Sequence, residues 1–298
     1  MITLSKLEKH LDEFKSYLQG IGFSGETIRC YLVDIKNYLQ NNLYADKYSY
    51  QDILEYQGKQ AKLDIGKGVK QNRLTRIKKY YDFLMDTGKR EDHPCRSIKL
   101  KVKADRTVIF SDLFSMDELE PLVHFKTRTK RLQTCYQTMM SLLIYQAMTS
   151  QEVCRLKVSD IDLDKETVHI RGGRRLASRT LELERKQHEI LSRYINEDRK
   201  KAFNPKSDHL LFSLRSTPLQ TDSIIRHIQT FQFRYPGKEL CPQTIRKSVI
   251  SHWLNVKKFP LEQVQLFSGQ RNISQTERLR QDDLQEAMEI LKACHPFG

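Results

Sequence analysis

Arginine is the residue of this chain whose clustering could do chemistry. The stretch "RGGRRLASR" sets Arg171, Arg174, Arg175 and Arg179 within nine positions, around a Gly-Gly pair. Guanidinium groups stay charged and present a fork of donors that fits phosphate oxygens. Such a cluster on a turn suits phosphate contact; a solvated turn is the plainer alternative. Arg246 stands in "QTIRKSVISHWL" (243–254), where it serves either a backbone phosphate or helix packing. Toward the C-terminus, "LFSGQRNISQTERLRQ" (266–281) offers Ser274 as a hydroxyl among glutamines. A serine nucleophile needs a base, and amides do not titrate. Ser274 therefore reads as a turn or helix-cap residue. No tyrosine follows Tyr235. Six cysteines are scattered without a CxxC pair or a His/Cys cluster. They are expected to be reduced thiols of a cytosolic protein, with no zinc site, no disulfide framework and no cofactor implied.

The 298 residues carry a formal net charge of +14, which favours a polyanionic partner, most often nucleic acid. The length allows two domains with sizeable cores. No run of about 18 apolar residues is present, so no membrane span is expected. The start, "MITLSKLEKHLDEF", is amphipathic and acidic in part, unlike a secretory signal.

The elements that must position these residues are mostly helical. Leu4, Leu7, Leu11, Phe14 and Leu18 mark one apolar face, stopped by Gly20 and Gly22. Ser24 is placed to cap a second helix through Thr27, Ile28, Tyr31, Ile35, Tyr38 and Leu39. A third helix is predicted over about 50–62 and a fourth over about 69–87, with Val69, Leu74, Ile77, Tyr81 and Leu84 inward. Lys70, Arg73 and Arg76 lie on a basic stripe of this fourth helix, which is either a solvated face or a phosphate track. The following stretch is rich in charge with Gly and Pro, and residues 93–106 are read as a linker. Its Lys99, Lys101 and Lys103 continue the positive track. Residues 1–92 then form a helical domain and 107–298 a second one. The second opens with "SMDELEPLV", where Ser115 and Glu118 form a capping box. A long apolar helix follows over about 130–147. Short β-rich runs at 167–171 and 179–183 flank the Gly-Gly turn as a hairpin, and the remainder is again helical.

This order resembles the tyrosine recombinase (phage integrase) family along nearly the whole chain. "TIRCYLVDIKNYL" (27–39) resembles its second N-terminal helix and "HPCRSIKL" (93–100) its linker. "EVCRLKVSDIDLDKETVHIRGG" (152–173) resembles its E-L-x-x-L-x-x-x-D-I-D segment and hairpin. "QTIRKSVISHWL" resembles its H-x-L-R-H helix, "SGQRNISQTERLRQ" (268–281) its L-G-H-x-x-I-x-T-T-x-x-Y segment, and "CHPFG" (294–298) its terminal His-Pro. The resemblance implies a mainly α fold with a small β-hairpin or sheet (α+β). An N-terminal helical core-binding (SAM-like) domain and a catalytic-type domain would close around double-stranded DNA as a C-shaped clamp. It also implies a tyrosine that attacks the scissile phosphate, arginines that neutralise the phosphate oxygens, and a hairpin lysine that protonates the leaving 5′-hydroxyl.

Matched residue by residue, the first arginine's position holds Thr149, and Arg155 lies six residues on, about one and two-thirds turns away. The hairpin lysine's place falls on Gly173 or Arg174. The two histidine positions hold Gln243 and Gln270, the second arginine is kept as Arg246, and the tyrosine position is Leu279. A leucine cannot attack phosphorus. The resulting expectation is a sequence-specific DNA-binding protein without recombinase catalysis, not an enzyme, acting as a transcriptional repressor on a phage or other mobile element in the nucleoid. An active or accessory site-specific recombinase is the alternative. Arg246, the four hairpin arginines, Lys70, Arg73, Arg76, Lys99, Lys101 and Lys103 are the expected DNA contacts. An apolar stripe through Leu279, Leu284, Met288 and Leu291 suggests homo-oligomer docking by the helix 281–294.

Overall fold

The computed structural model describes residues 4–100, 108–127, 129–203 and 207–281. They belong to two compact units, Met1–Arg106 and Thr107–Gly298. Lys101, Lys103 and the expected docking helix beyond 281 lie outside the described residues.

The first unit is helical. It contains α1 (Leu4–Gly20), α2 (Gly25–Asn41), α3 (Tyr50–Ala61) and α4 (Lys67–Asp86). Ser24 caps α2 by accepting from the amide of Thr27, and Ser49 and Asp52 form a capping box that starts α3. Phe14, Leu18, Ile35, Ile53, Ile77 and Tyr81 are fully buried. The Tyr38 and Tyr81 hydroxyls meet at 2.9 Å, and Tyr81 donates to the Ala45 carbonyl, which satisfies both buried phenols. Val69 is 47% exposed, against the expectation that it points inward; it lies in the first turn of α4, where no neighbouring helix covers it. The segment expected as linker begins inside this unit: Cys95 and Ile98 belong to its core. Lys78 fastens them by donating to the carbonyls of Arg96 and Ile98.

The second unit places α5 (Met116–Leu119), α6 (Gln133–Tyr145) and α7 (Ser150–Arg155) before a small sheet. Ser115 and Glu118 form the expected capping box. The sheet is three-stranded and antiparallel, in the order β1 (Ile161–Asp162), β2 (Thr167–Ile170), β3 (Arg179–Glu182). The expected hairpin is β2–β3, with Ile170 paired to Arg179 and Thr167 to Glu182. Side chains alternate across a strand, so Val168, Ile170, Arg179 and Leu181 face the core while His169 and Thr180 face out. Helices α8 (Arg185–Arg193), α9 (Arg199–Phe203), α10 (Thr221–Gln229), α11 (Pro242–Asn255), α12 (Leu261–Ser268) and α13 (Ile273–Glu277) complete the unit. Its core gathers Met139, Leu142, Leu143, Ile144, Val168, Leu181, Ile245, Val249 and Leu279. Among the described residues no helix is long and apolar enough to cross a membrane.

Candidate nucleic-acid interface

Glu152 organises the buried part of the site. As the third residue of α7 it accepts from the amide and hydroxyl of Thr149, at 2.8 and 3.0 Å, in a capping box. Its carboxylate also accepts from Arg179 of β3, Nη1 at 2.6 Å and Nη2 at 3.3 Å. Both side chains of this ion pair are almost fully buried. Burial would raise the Glu152 carboxyl, but the hydrogen bonds and charge of Arg179 outweigh it and hold the group below the usual carboxylate range.

Arg246 enters from α11 and donates to the carbonyls of Ala147 and Ser268. It is buried, and that burial pushes its guanidinium down to about 10, which leaves it charged at neutral pH. Glu152 opposes this shift and Arg179 adds to it. Ala147 presents its carbonyl from a left-handed backbone, φ 46. The turn that carries Ser268 is closed by Gly269, φ 68, the left-handed cap of α12. A Cβ at 269 would stand 2.6 Å from Nη1 of Arg179, so only glycine lets the turn pass over that side chain. The hairpin tip is tied to the same turn: Ala177 donates to the Gly269 carbonyl at 2.8 Å, and Leu176 bridges Gln270. Gly172 is required in the tip, where a Cβ would meet the Ser178 amide at 2.6 Å.

The structure thus brings together Thr149, Arg179, Arg246 and Gln270, with Gln243 exposed one turn before Arg246 on α11. Gln270 accepts from Thr276 at 2.6 Å, and Thr149 caps its own helix. Arg171 pairs with the buried Asp160 at 2.7 Å, while Arg174 and Arg175 are exposed. Arg179 differs from the expectation of an exposed hairpin contact, because strand alternation turns it inward. Leu279 is 3% exposed and packs in the core. Asn255 holds that segment by donating to the Leu279 carbonyl and accepting from the Gln281 amide, both at 2.8 Å. Ser274 is not itself the cap of α13: Asn272 is. In the first unit the basic stripe is largely engaged internally. Arg76 pairs with Asp34, Arg73 donates to Gln60 at 2.8 Å, and Lys70 donates to the Ala61 carbonyl at 2.8 Å. Lys99 is exposed.

Neither Glu152, Ala147 nor Gly269 is among the site residues expected from sequence. The Ser-Gly step after an apolar helix is the signal that could have shown Gly269 as a left-handed cap. Ala147 carries no such signal. Among the described residues no group of three or more His, Cys, Asp or Glu side chains could hold a metal ion.

The chain belongs to the phage integrase family, whose model matches residues 113–286, well over half of its length. A tyrosine recombinase of Pseudothermotoga lettingae is 24% identical over 278 residues, covering 91% of this chain and 92% of its own. Tyrosine recombinase XerC of Bacillus pumilus is 26% identical over 282 residues, 93% of this chain and 84% of its own. Among solved structures, a XerH site-specific recombinase bound to palindromic difH substrate aligns with a TM-score of 0.72 at 16% identity, over 97% of this chain and 85% of that one. A Tn1549 transposon integrase in complex with circular intermediate DNA gives 0.67 at 12% identity, over 95% and 99%. These likenesses establish the mainly α fold with its small sheet.

The relatives also correct an expectation. They are named tyrosine recombinases, which are enzymes, and this overturns the reading of the chain as not an enzyme. Nothing in their names points to transcriptional repression. Leucine at 279 tells where the attacking hydroxyl is not.

Proposed function

We propose that this chain acts in site-specific recombination of double-stranded DNA. The observation that carries the reading is Arg246, a buried, charged guanidinium fixed by two backbone carbonyls, with no carboxylate of its own among the described residues. Such a group is oriented before its ligand arrives, which is what stabilises charge on a phosphate during strand cleavage. The exposed Arg174 and Arg175 set register along the DNA backbone, and Lys99 is a further exposed charge of the first unit. The names of the relatives, and the DNA held by similarly folded proteins, support this reading over that of a repressor.

In the reaction, a hydroxyl attacks phosphorus, an oxygen–phosphorus bond forms, and the bond to the 5′-oxygen breaks as that oxygen takes a proton. The hydroxyl comes either from a residue of this chain other than 279 or from a tyrosine-bearing recombinase on the same DNA. The test uses a nicked suicide duplex that carries the chain's own site, found by selection from random DNA. The full chain is incubated with it alone and together with a tyrosine-bearing relative. A covalent adduct or strand exchange that depends on this chain is expected, and peptide mapping of the adduct locates the nucleophile. Binding without exchange in both mixtures would overturn the proposal.

A further inference from the structure

The second unit holds a basic cavity of about 370 Å³ at the end of α6 remote from Arg246. Its wall includes Lys130 and Arg131, just before α6, whereas Arg246 is held by the carbonyl of Ala147, just after α6. The 13 residues of α6 set these ends about 20 Å apart. Arg193 and Lys201 complete the basic part of the wall, and Asp198 is its one carboxylate. All four cations are exposed, so a ligand reaches them without disturbing the core. Asp198 lies 3.4 Å from Arg193 Nε, yet its Oδ2 makes no hydrogen bond among the described residues. Arg131 donates to Ser216 Oγ at 3.1 Å. Glu197, outside the wall, stands 3.4 Å from Lys201 in an exposed pair of small energy.

The backbone aligns two of these cations. Arg193 ends α8, Lys201 lies in α9, and Tyr194–Asp198 between them form a π turn. Along an unbroken α-helix, a separation of eight positions leaves two side chains about 80° apart. A π turn spans one residue more than an α turn, which takes back about 100° and brings Arg193 and Lys201 close to one line. Such turns are rare and recur at functional sites.

We infer that this cavity is a second anion site, which takes a small molecule bearing two linked phosphates. The wall has four cations against one carboxylate, a surplus that one phosphate monoester, at about −1.5 to −2, does not match. Two arginine forks suit phosphate oxygens, and the volume is that of a small-ligand pocket. A duplex carries its phosphates spread along a rail, whereas a closed-in cavity of this size receives one compact group. Inorganic pyrophosphate and a nucleoside diphosphate share the required chemistry.

The test titrates the full chain with inorganic pyrophosphate by calorimetry, without DNA and at fixed ionic strength. Saturable binding of one pyrophosphate per chain is expected. Lys130→Gln combined with Lys201→Gln should weaken it at least about tenfold, the scale of one charged hydrogen bond. Arg193→Lys keeps the charge but loses the fork, and should weaken it less. Lys165→Gln, which alters an exposed cation of the same unit outside the cavity, should leave it unchanged. No saturable binding, or equal weakening by Lys165→Gln, would overturn the inference. Equal affinity for orthophosphate would overturn the need for linked phosphates. Loss of duplex binding in the same proportion in the Lys130→Gln, Lys201→Gln variant would assign these side chains to DNA and overturn the small-ligand site. Adenosine diphosphate separates the two sources: tighter binding than pyrophosphate places a nucleoside in the cavity, and equal binding makes the phosphates the whole determinant, either of which sustains the inference.

Discussion

Arg174 and Arg175 lie five and four positions before Arg179, on the same turn of chain, yet they live under opposite conditions. The first two are exposed. Arg179 has a side chain 4% exposed, with a carboxylate on its fork. An exposed arginine contributes a screened charge that any nearby phosphate can use. A buried one contributes a fixed direction, and its desolvation must be offset by a specific partner. The difference comes from strand alternation and from Glu152, not from residue type. Composition alone counts all three as equal parts of a net charge of +14.

The largest effect should come from removing the partner. Glu152→Ala leaves two buried guanidinium groups without a counter-charge and also removes half of the α7 capping box. A loss of about 3–5 kcal/mol is expected in urea unfolding. A loss below about 1 kcal/mol would erase the contrast with the exposed tip. The pH dependence has a fixed sign. The folded-state pKa of Glu152 lies below its ordinary value of 4.5. Its contribution is therefore fully present above that value and is lost as pH falls through the depressed one.

His227 sharpens the comparison, because it is a cationic type that burial leaves without any carboxylate. It stacks on Tyr136 at 3.8 Å and meets Phe231 edge-on at 5.1 Å. Burial pushes its pKa down from 6.5 to about 4. The unfolded chain takes up this proton below 6.5 and the folded chain does not, so stability is full above 6.5 and falls as pH drops toward 4. The whole fall is about 3 kcal/mol. Unfolding titrations of wild type and His227→Phe should diverge by that amount across the window. Parallel curves would mean that His227 is free to charge in the folded protein.

Much of the fold was legible because its signals are local. Ser24 and Ser115 are read as caps from a few neighbouring residues, and both cap. The Gly-Gly hairpin is read from composition. Its third strand was missed, since Ile161–Asp162 is only two residues long. Partners distant in sequence were not legible. Nothing near Arg76 announces Asp34, 42 positions away, and so the α4 stripe looked freer than it is. Arg179 stands between these cases. Arg179, Leu181 and Leu183 recur at every second position, and this period predicts one shared face. Charge counting overrode that pattern. The left-handed Ala147 and the convergence of three segments on Arg246 depend on tertiary structure alone.

Gly269→Ala probes the contact that closes the buried site. The new Cβ would meet Nη1 of Arg179 at 2.6 Å and the Ala177 carbonyl at 3.0 Å, on a backbone with φ 68. A loss of about 1–3 kcal/mol is expected from the strained backbone and the forced shift. Combining it with Arg179→Met, which removes the nearest clashing atom, should recover part of that loss beyond additivity. Strict additivity would show that the turn does not bear on the arginine.

The smallest effect on stability, and the most selective one on binding, belongs to the exposed tip. Arg174→Ala with Arg175→Ala removes two solvated side chains for which no hydrogen bond or ion pair is seen within the described residues. Unfolding free energy should stay within about 0.5 kcal/mol of the wild type. If each side chain meets one DNA phosphate, the slope of log affinity against log salt should become shallower by about 0.9 per contact, close to 2 for the pair. An unchanged slope in the double tip variant would assign Arg174 and Arg175 to solvent.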